Sequence, residues 1–311
     1  MTLRKNFQRF EIVATKIGVT SIRNIDLNEI MHNPVGPIVE AQKLYIEQSR
    51  LRERLEDENI TTPLVLFDVG LGAAGNTLAA LEVLEQLSVT RSTHRKLQII
   101  SFEEDLTLLE FALANKEHFE LVNKYSKTLE HLLKNHEVQS DKFSWHLKVG
   151  SFLESVNSLK FSPEIIFHDP YSPRSNPEMW SYYCFRKLFK LAVNAATPTH
   201  LVTYSRATPV RVAMLAAGFF VGVGSSSGLK DETTEASTDY KLLREPFGAR
   251  WFERWSRSVT PTPPPSKFEN ELALNIKTIG ELFSEHPQFK DGLATEAFTK
   301  LLQKLENETI N

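Results

Sequence analysis

Residues 64–78 read LVLFDVGLGAAGNTL. An apolar run ends in an acid, Asp68, then turns through Gly70, Gly72 and Gly75 into helix-forming sequence from Asn76 to Leu87. Such a run predicts a buried strand of a parallel sheet, covered on both faces. Gly70 and Gly72 let the backbone turn tightly and approach a ligand, and the helix that follows offers its free N–H groups. The spacing of the three glycines also satisfies the dinucleotide fingerprint, so the stretch alone leaves the ligand open. A glycine turn that binds nothing is the plain alternative.

A second stretch, Ile165 to Trp180, reads IIFHDPYSPRSNPEMW. Its apolar start predicts another buried strand, one that delivers Asp169 to the carboxyl edge of the sheet, where open α/β folds hold ligands. Pro170 and Pro173 stiffen the following loop, and Tyr171 sets a flat face beside the acid. This arrangement suits presentation of an amine or a base to a reactive carbon. Asp before Pro also commonly just starts a turn.

Two further strand ends fit the same plan. Leu97 to Phe102 runs into Glu103 and Glu104. A carboxylate there has two coplanar acceptor oxygens for the two hydroxyls of a ribose. Phe143 to Val149 ends at Gly150-Ser151-Phe152, where Ser151 offers a hydrogen bond to a nucleobase and Phe152 a packing face. The order of these signals along the chain is stronger evidence than any one of them.

Around this core, residues 1–60 read as an N-terminal extension, with a hairpin over Phe10 to Ile25 and a helix over Pro37 to Leu55. Strands are expected near 64–68, 97–102, 144–149, 164–168, 199–204, 219–223 and 239–243. Helices are expected near 76–87, 107–135 (interrupted), 151–159, 177–195 and 208–217. The alternation predicts an α/β, Rossmann-like, mostly parallel sheet of seven strands, closed by an antiparallel hairpin. The catalytic domain is assigned to 61–258, and 259–311 to a proline linker (Thr260 to Pro265) with a cap of amphipathic helices at 268–282 and 295–305. In residues 244–257, Arg250 and Arg254 share one helical face and Trp251 and Trp255 another. Arginines interleaved with aromatics suit phosphate contact and base stacking. Equally, the tryptophans dock on the core while the arginines face water.

With 311 residues, 41% hydrophobic and 24% charged, the composition is that of an ordinary globular protein. No apolar run is long enough to span a membrane, and the basic N-terminus lacks the apolar core of a signal peptide. The lone Cys184 excludes an intrachain disulfide, fits a cytoplasmic setting and reads as core packing. The nine histidines have no metal-ligand spacing with it. A net charge of −3 argues against indiscriminate nucleic-acid binding but allows a local basic face.

Two features favour S-adenosylmethionine over NAD. Asp68 stands two residues before the first glycine, where methyltransferases keep an acid for the cofactor's methionine end, and the motif follows a sizeable extension rather than opening the chain. With these residues assembled, the sequence resembles the methyltransferase family of the bacterial tRNA-modifying protein MnmC. The match is most specific at HDPYSPRSNPEMW, continues through FDVGLGAAGNTL and SFEE, and reaches HNPVGPIVEAQKLYIE upstream and VTYSRATPVRVAMLAAGF with GLKDETTEAS downstream. It covers roughly residues 30 to 240.

The resemblance implies a class I S-adenosylmethionine methyltransferase that methylates the aminomethyl group of 5-aminomethyl-2-thiouridine at the tRNA wobble position. It implies Asp169 and Tyr171 as the catalytic pair. Asp68, Gly70, Gly72, Asn76, Glu103, Ser151, Phe152 and Glu40 would bind the cofactor, and Arg174 and Lys230 the RNA, joined by Arg250 and Arg254 on the separate reading of residues 244–257. The length resembles a standalone form without the flavin-dependent oxidoreductase, so neither FAD nor metal is expected, and the partner is tRNA with a monomer as the unit. The chain departs from the pattern at Ala74, where the family has its third glycine, and at Ser151, where it has an acid. Amine methylation of another base or a protein, a non-catalytic RNA-binding homologue and a NAD oxidoreductase remain the competing readings.

Overall fold

The computed structural model describes residues 7–14, 18–30, 37–91, 93–226, 232–267 and 274–289. A 3-10 turn (Phe7–Arg9) leads into β1 (Phe10–Ala14), β2 (Thr20–Asn24) and β3 (Glu29–Ile30). Helix α1 (Pro37–Glu40) passes into a π-helical segment (Ala41–Glu47), followed by α2 (Leu51–Leu55). The core then runs β4 (Leu64–Val69), α3 (Gly75–Thr90), β5 (Leu97–Glu103), α4 (Thr107–Ala114), α5 (Glu120–Lys124), α6 (Ser126–Asn135), β6 (Glu137–Gln139), β7 (Phe143–Val149), α7 (Phe152–Ser155) and β8 (Ile165–His168). It continues as α8 (Tyr182–Ala192), β9 (His200–Thr203), α9 (Thr208–Ala217), β10 (Phe220–Gly224), β11 (Thr233–Ser237), β12 (Glu245–Pro246), α10 (Ala249–Ser256) and α11 (Ile276–Glu285).

Contacts divide the chain into two units. The first comprises Met1–Pro170, Leu201–Tyr204 and Ser225–Glu232; the second comprises Tyr171–His200, Ser205–Gly224 and Thr233–Asn311. In the first unit the strand order is β9-β8-β4-β5-β7-β6. Strand β4 is parallel to both β5 and β8, β5 is parallel to β7, and β6 turns back antiparallel along β7. Burial on both faces explains why β4 and β5 carry nearly unbroken apolar runs. The register sets Asp68 beside Ser101 on one side and Phe167 on the other. Below the sheet edge, Arg95 and Glu164 form an ion pair at 2.6 Å, both side chains 2% exposed. Arg95 also donates to the carbonyls of Thr62 and Pro63.

The second unit holds the antiparallel set β12-β10-β11. Arg211 on α9 is buried there, donating to Thr234 Oγ1 and the Thr233 carbonyl at 2.9 Å each while its guanidinium lies over the Phe247 ring. Helix α8 starts where Ser181 Oγ accepts from the Cys184 N–H, and Cys184 is buried as expected.

Most of the expected elements form, with identifiable exceptions. The strand expected at 239–243 instead occupies Thr233–Ser237, and Tyr240–Leu242 is a 3-10 turn. The β-branched pair Thr233 and Thr234 is fully buried, whereas Asp239 Oδ1 accepts from the Lys241 N–H and curls the chain. The helix expected over 37–55 is broken: it widens to π at Ala41–Glu47, and Arg50 takes a left-handed φ of 55°. The expected 268–282 helix is seen as Ile276–Glu285, and the one expected over 295–305 lies outside the described residues.

Candidate active site

The carboxyl ends of the parallel strands are tied together past the last ladder bonds. Gly70 and Leu71 donate to the Phe102 carbonyl, Gly150 donates to the Glu103 carbonyl, and Asp169 donates to the Val69 carbonyl. Gly70 has φ +93°, and a Cβ added there would sit 2.7 Å from the Asp169 carbonyl oxygen and 2.8 Å from Pro170 Cα. Glycine at 70 therefore lets two strand-end loops touch, a role additional to the expected approach of a ligand. Ala74 sits in the left-handed region (φ 66°), immediately before α3.

Asp68 is 1% exposed. Its Oδ2 accepts from Thr77 Oγ1 at 2.6 Å and Ser101 Oγ at 2.9 Å, and Ser101 Oγ in turn accepts from Trp145 Nε1 at 2.9 Å. This network crosses β5 and β7 and fixes the carboxyl's orientation. Its other oxygen, Oδ1, is buried without a hydrogen-bond partner. Burial, opposed by the two hydroxyl donors, pushes the Asp68 pKa up to about 7.

Asp169 stands at the end of β8, where Oδ2 accepts from Asn76 Nδ2 at 2.7 Å. Asn76 Oδ1 is buried and unpartnered. The π-helical segment brings the buried Tyr45 up to the same carboxyl, and Glu40 and Asp68 act on it as like charges. Burial is the largest influence on Asp169; with the two repelling acids it outweighs the nearby Tyr45 phenol and the Asn76 amide and raises the pKa to about 8. Asp169 keeps some surface exposure, unlike Asp68. Tyr204 closes the loop by donating to the Pro170 carbonyl at 3.0 Å.

Glu103 is already engaged with its own loop. Its Oε2 accepts from the Gly72 N–H at 2.9 Å, and its Oε1 accepts from the N–H groups of Glu104 and Asp105. Of about four acceptor positions on a carboxylate, three are taken, which leaves about one for a ribose hydroxyl where the sequence expectation has the carboxylate open to both. Asp105 pairs with Arg9 at 2.6 Å, tying the N-terminal segment to this loop. Ser151 is half-buried, and its side chain makes no cap bond to α7. Phe152 is 5% exposed and packs edge-on against Phe102 with centroids 5.0 Å apart, so its ring serves the core.

The remaining expected residues belong to the second unit or lie outside the described residues. The Tyr171 carbonyl accepts from Trp180 Nε1 at 2.8 Å, and Arg174 is exposed at the turn where the Ser172 carbonyl accepts from Ser175 and Asn176. Glu178 accepts from the Lys267 N–H at 3.0 Å, which ties the Asn-Pro-Glu-Met-Trp ending to the chain beyond the prolines. Arg250 and Arg254 are exposed. Trp251 and Trp255 are 5% and 0% exposed and stack with one another and with Phe247, while Trp255 Nε1 donates to the Pro261 carbonyl. The suggested stacking of these tryptophans on bases is thereby corrected: their faces are taken up inside the fold. Lys230 lies outside the described residues.

Tyr45, Thr77, Ser101 and Tyr204 were not singled out from sequence. A lone hydroxyl in the apolar strand LQIISF and a threonine one residue beyond Asn76 are weak signals that gain meaning only once the strands are neighbours.

The chemistry of this donor set fits S-adenosylmethionine. Both unpartnered side-chain atoms flanking the glycine turn, Asp68 Oδ1 and Asn76 Oδ1, are acceptors, and the formal charges acting on Asp169 are both negative. An ammonium supplies donors for such atoms, and a sulfonium relieves such crowding. No group of three or more His, Cys, Asp or Glu among the described residues is arranged to hold a metal.

Comparison with known proteins agrees. The sequence family described as S-adenosyl-L-methionine-dependent methyltransferase matches residues 114–239. An uncharacterized protein of Methanocaldococcus jannaschii is 26% identical over 72% of this chain and 58% of its own length. The tRNA 5-methylaminomethyl-2-thiouridine biosynthesis bifunctional protein MnmC of Pseudomonas fluorescens is 27% identical over 58% of this chain and 28% of its own length. The MnmC of Campylobacter fetus is 24% identical over 73% of this chain and 36% of its own. The crystal structure of MnmC2 from Aquifex aeolicus superposes with a TM-score of 0.67 at 20% identity, covering 94% of this chain and 85% of that one.

The chain thus has the fold of the class I S-adenosylmethionine-dependent methyltransferases and is similar to them in sequence over residues 114–239. Among the proteins compared, it is similar to part of the bifunctional protein MnmC. It spans between 28% and 58% of the length of the three curated relatives described above.

Proposed function

We propose that this enzyme methylates the primary amine of 5-aminomethyl-2-thiouridine at the wobble position of tRNA, the reaction family to which the names of its MnmC relatives belong. The observation that carries the reading is Asp169, hydrogen-bonded to Asn76 in the first turn of α3 and flanked by further acids. S-adenosylmethionine supplies a methyl group activated on a sulfonium.

Asp68 and Asn76 hold the cofactor's amino-acid end through their unpartnered acceptors, Glu40, Glu103 and Gly72 line its remainder, and Ser151 bonds the base. Asp169 faces the nitrogen to be methylated. An amine reaches the site as an ammonium and attacks only once neutral, so a proton has to leave first. With its pKa raised to about 8, the Asp169 carboxylate is matched to take that proton near neutral pH. A bound cation lowers that pKa again and restores the ionised form. Charge that then develops on the nitrogen is stabilised by the same carboxylate, more strongly in the transition state than in the neutral ground state. Tyr171 provides the flat wall for the uracil ring, and Arg174, Lys230, Arg250 and Arg254 meet the phosphates. Neither flavin nor metal enters this scheme, and the working unit is a cytoplasmic monomer.

Mass spectrometry of tRNA nucleosides from a strain lacking the protein tests the proposal. Accumulation of the unmethylated aminomethyl nucleoside supports it. An unchanged nucleoside profile counts against the substrate, and calorimetric titration with S-adenosylmethionine then separates a wrong substrate from a lost cofactor site.

A further inference from the structure

Tyr45 sits in the π-helical segment Ala41–Glu47 and is 1% exposed. Its ring is fixed edge-on against Phe167, with centroids 5.2 Å apart and planes at 62°. Phe167 lies two residues before Asp169 on β8, so this contact ties the tyrosine to the strand that delivers the acid. The hydroxyl makes no hydrogen bond of good geometry, yet lies within reach of the Asp169 carboxyl. A buried hydroxyl without a partner is costly, and phenylalanine would serve packing alone at lower cost.

The local backbone is shaped to bring that side chain in. A π segment changes the direction of side chains relative to an α-helix and is often found at functional sites. Here Ser49 Oγ donates to the Tyr45 carbonyl at 2.5 Å and to the Ile46 carbonyl at 3.2 Å. Arg50, at φ 55°, ends the irregular turn.

We propose that Tyr45 is a positioning residue for Asp169, its phenol donating to the carboxylate so as to keep it ionised and aimed at the nitrogen to be methylated. This rests on the role given to Asp169 above. The charged and titratable groups around the pair are Glu40 from α1, Asp68 from β4 and Tyr204 after β9, with Glu29 acting on Tyr204. Asn76 from α3 already donates to Asp169 Oδ2. Tyr204 has its proton committed to the Pro170 carbonyl. Tyr45 is therefore the phenol in this group with a proton to give. Losing it leaves burial and two repelling carboxylates opposed by Asn76 alone.

The test uses wild type, Tyr45→Phe, Asp169→Asn and the double variant. Thermal stability is followed from about pH 5 to pH 10 without cofactor, together with the pH dependence of kcat for methyl transfer. Tyr45→Phe is expected to move the Asp169 titration, seen in the stability profile, upward by about one pH unit, and to move the acidic limb of kcat by the same amount. At pH values below that limb this is roughly a tenfold loss of turnover, recovered as the pH rises above it. The stability shift should vanish when Asp169 is already Asn. Superimposable wild-type and Tyr45→Phe stability profiles, or the same shift in the Asp169→Asn background, would overturn the proposal. If wild type methylates no aminomethyl tRNA, the function reading fails, but the stability comparison still decides whether Tyr45 acts on Asp169.

Discussion

Asp169→Asn deletes one negative charge while keeping nearly the same volume and an oxygen to accept from Asn76. In the folded protein the Asp169 pKa is raised from the 3.8 of an unperturbed aspartate to about 8, burial being the first cause. A native acid with a raised pKa binds its proton more tightly than the unfolded chain does. Stability therefore falls as pH rises from about 4 towards about 8, and the contribution is flat above that. Each pH unit in that window is worth at most about 1.4 kcal/mol, so the span from pH 5.5 to pH 8 has a ceiling of about 3.4 kcal/mol. Asp169 retains some contact with solvent, which screens the penalty, and we expect about 1–2 kcal/mol to be realised.

The cofactor-free Asp169→Asn protein should accordingly gain stability over wild type on going from pH 5.5 to pH 8.5. For a chain of this size the relative gain is about 2–8 °C in Tm. Asp68 titrates in both proteins, with a pKa raised to about 7 by burial, so it largely cancels in the comparison. Thermal melts at the two pH values, alongside a methyl-transfer assay, read both halves of the argument. Turnover should drop by about 10²–10⁴-fold, while cofactor binding, proposed for Asp68, Asn76 and Glu103, should be kept. A stability difference that does not change with pH would mean that Asp169 is ionised throughout, and the proton-accepting role would fall with it. Unchanged turnover would remove Asp169 from the chemistry outright.

Three further perturbations probe the parts around it, and a fourth the RNA face. Gly70→Ala combines a positive φ with a Cβ driven into the Asp169–Pro170 backbone at 2.7 and 2.8 Å; a loss of about 2–4 kcal/mol is expected in denaturant melts. Ala74→Gly, by contrast, relieves a left-handed alanine but gives up a buried methyl, two opposing effects of about 1 kcal/mol each, so little net change is expected. Glu164→Leu strands the buried Arg95 guanidinium and should cost about 3–5 kcal/mol by chemical denaturation, and a paired apolar replacement of both residues should recover most of that. Arg174→Glu and Arg250→Glu should weaken tRNA binding in filter assays, lowering the slope of log K against log salt by about one for each phosphate no longer neutralised; an unchanged slope would place the RNA elsewhere.

What was legible in the sequence was whatever depends on continuous runs. The apolar strands ending in Asp68, Glu103 and Asp169 were visible because burial on both faces forbids alternation, and an acid stands out against such a run. The hairpin at Phe10–Ala14 and Thr20–Asn24 was legible for a similar reason. Hidden features depend on partners distant in the chain. Tyr45 joins Asp169 across more than a hundred residues of sequence, and a period-based reading cannot anticipate a π segment that turns it there. Thr233–Ser237 was misread because Thr-Thr-Glu-Ala-Ser looks like polar loop, and only burial gives it strand character. The tryptophans of α10 looked equally suited to RNA and to core until Phe247 and Pro261 were seen to occupy them.

The arrangement around Asp169 makes more physical sense as a binding site than as a structural one. A structural carboxylate is normally held in its charged form by cations or by several donors, and its pKa falls. Here three acids converge, two of them, Asp68 and Asp169, carry raised pKa values, and the hydrogen bonds described for those two come from neutral amide and hydroxyl groups. Gly70 adds that the loop following Asp68 lies against the Asp169–Pro170 backbone, so the acids cannot separate without breaking that contact. Holding negative charge in place thus lowers stability, and a cationic ligand entering the site restores some of it. It follows that S-adenosylmethionine should raise Tm more at pH 8.5 than at pH 5.5, because only the ionised cluster is relieved by its charge. The uncharged-sulfur product S-adenosylhomocysteine should show a smaller dependence on pH. Equal dependence for the two ligands in the same thermal-shift series would mean that the sulfonium does not sit against these acids.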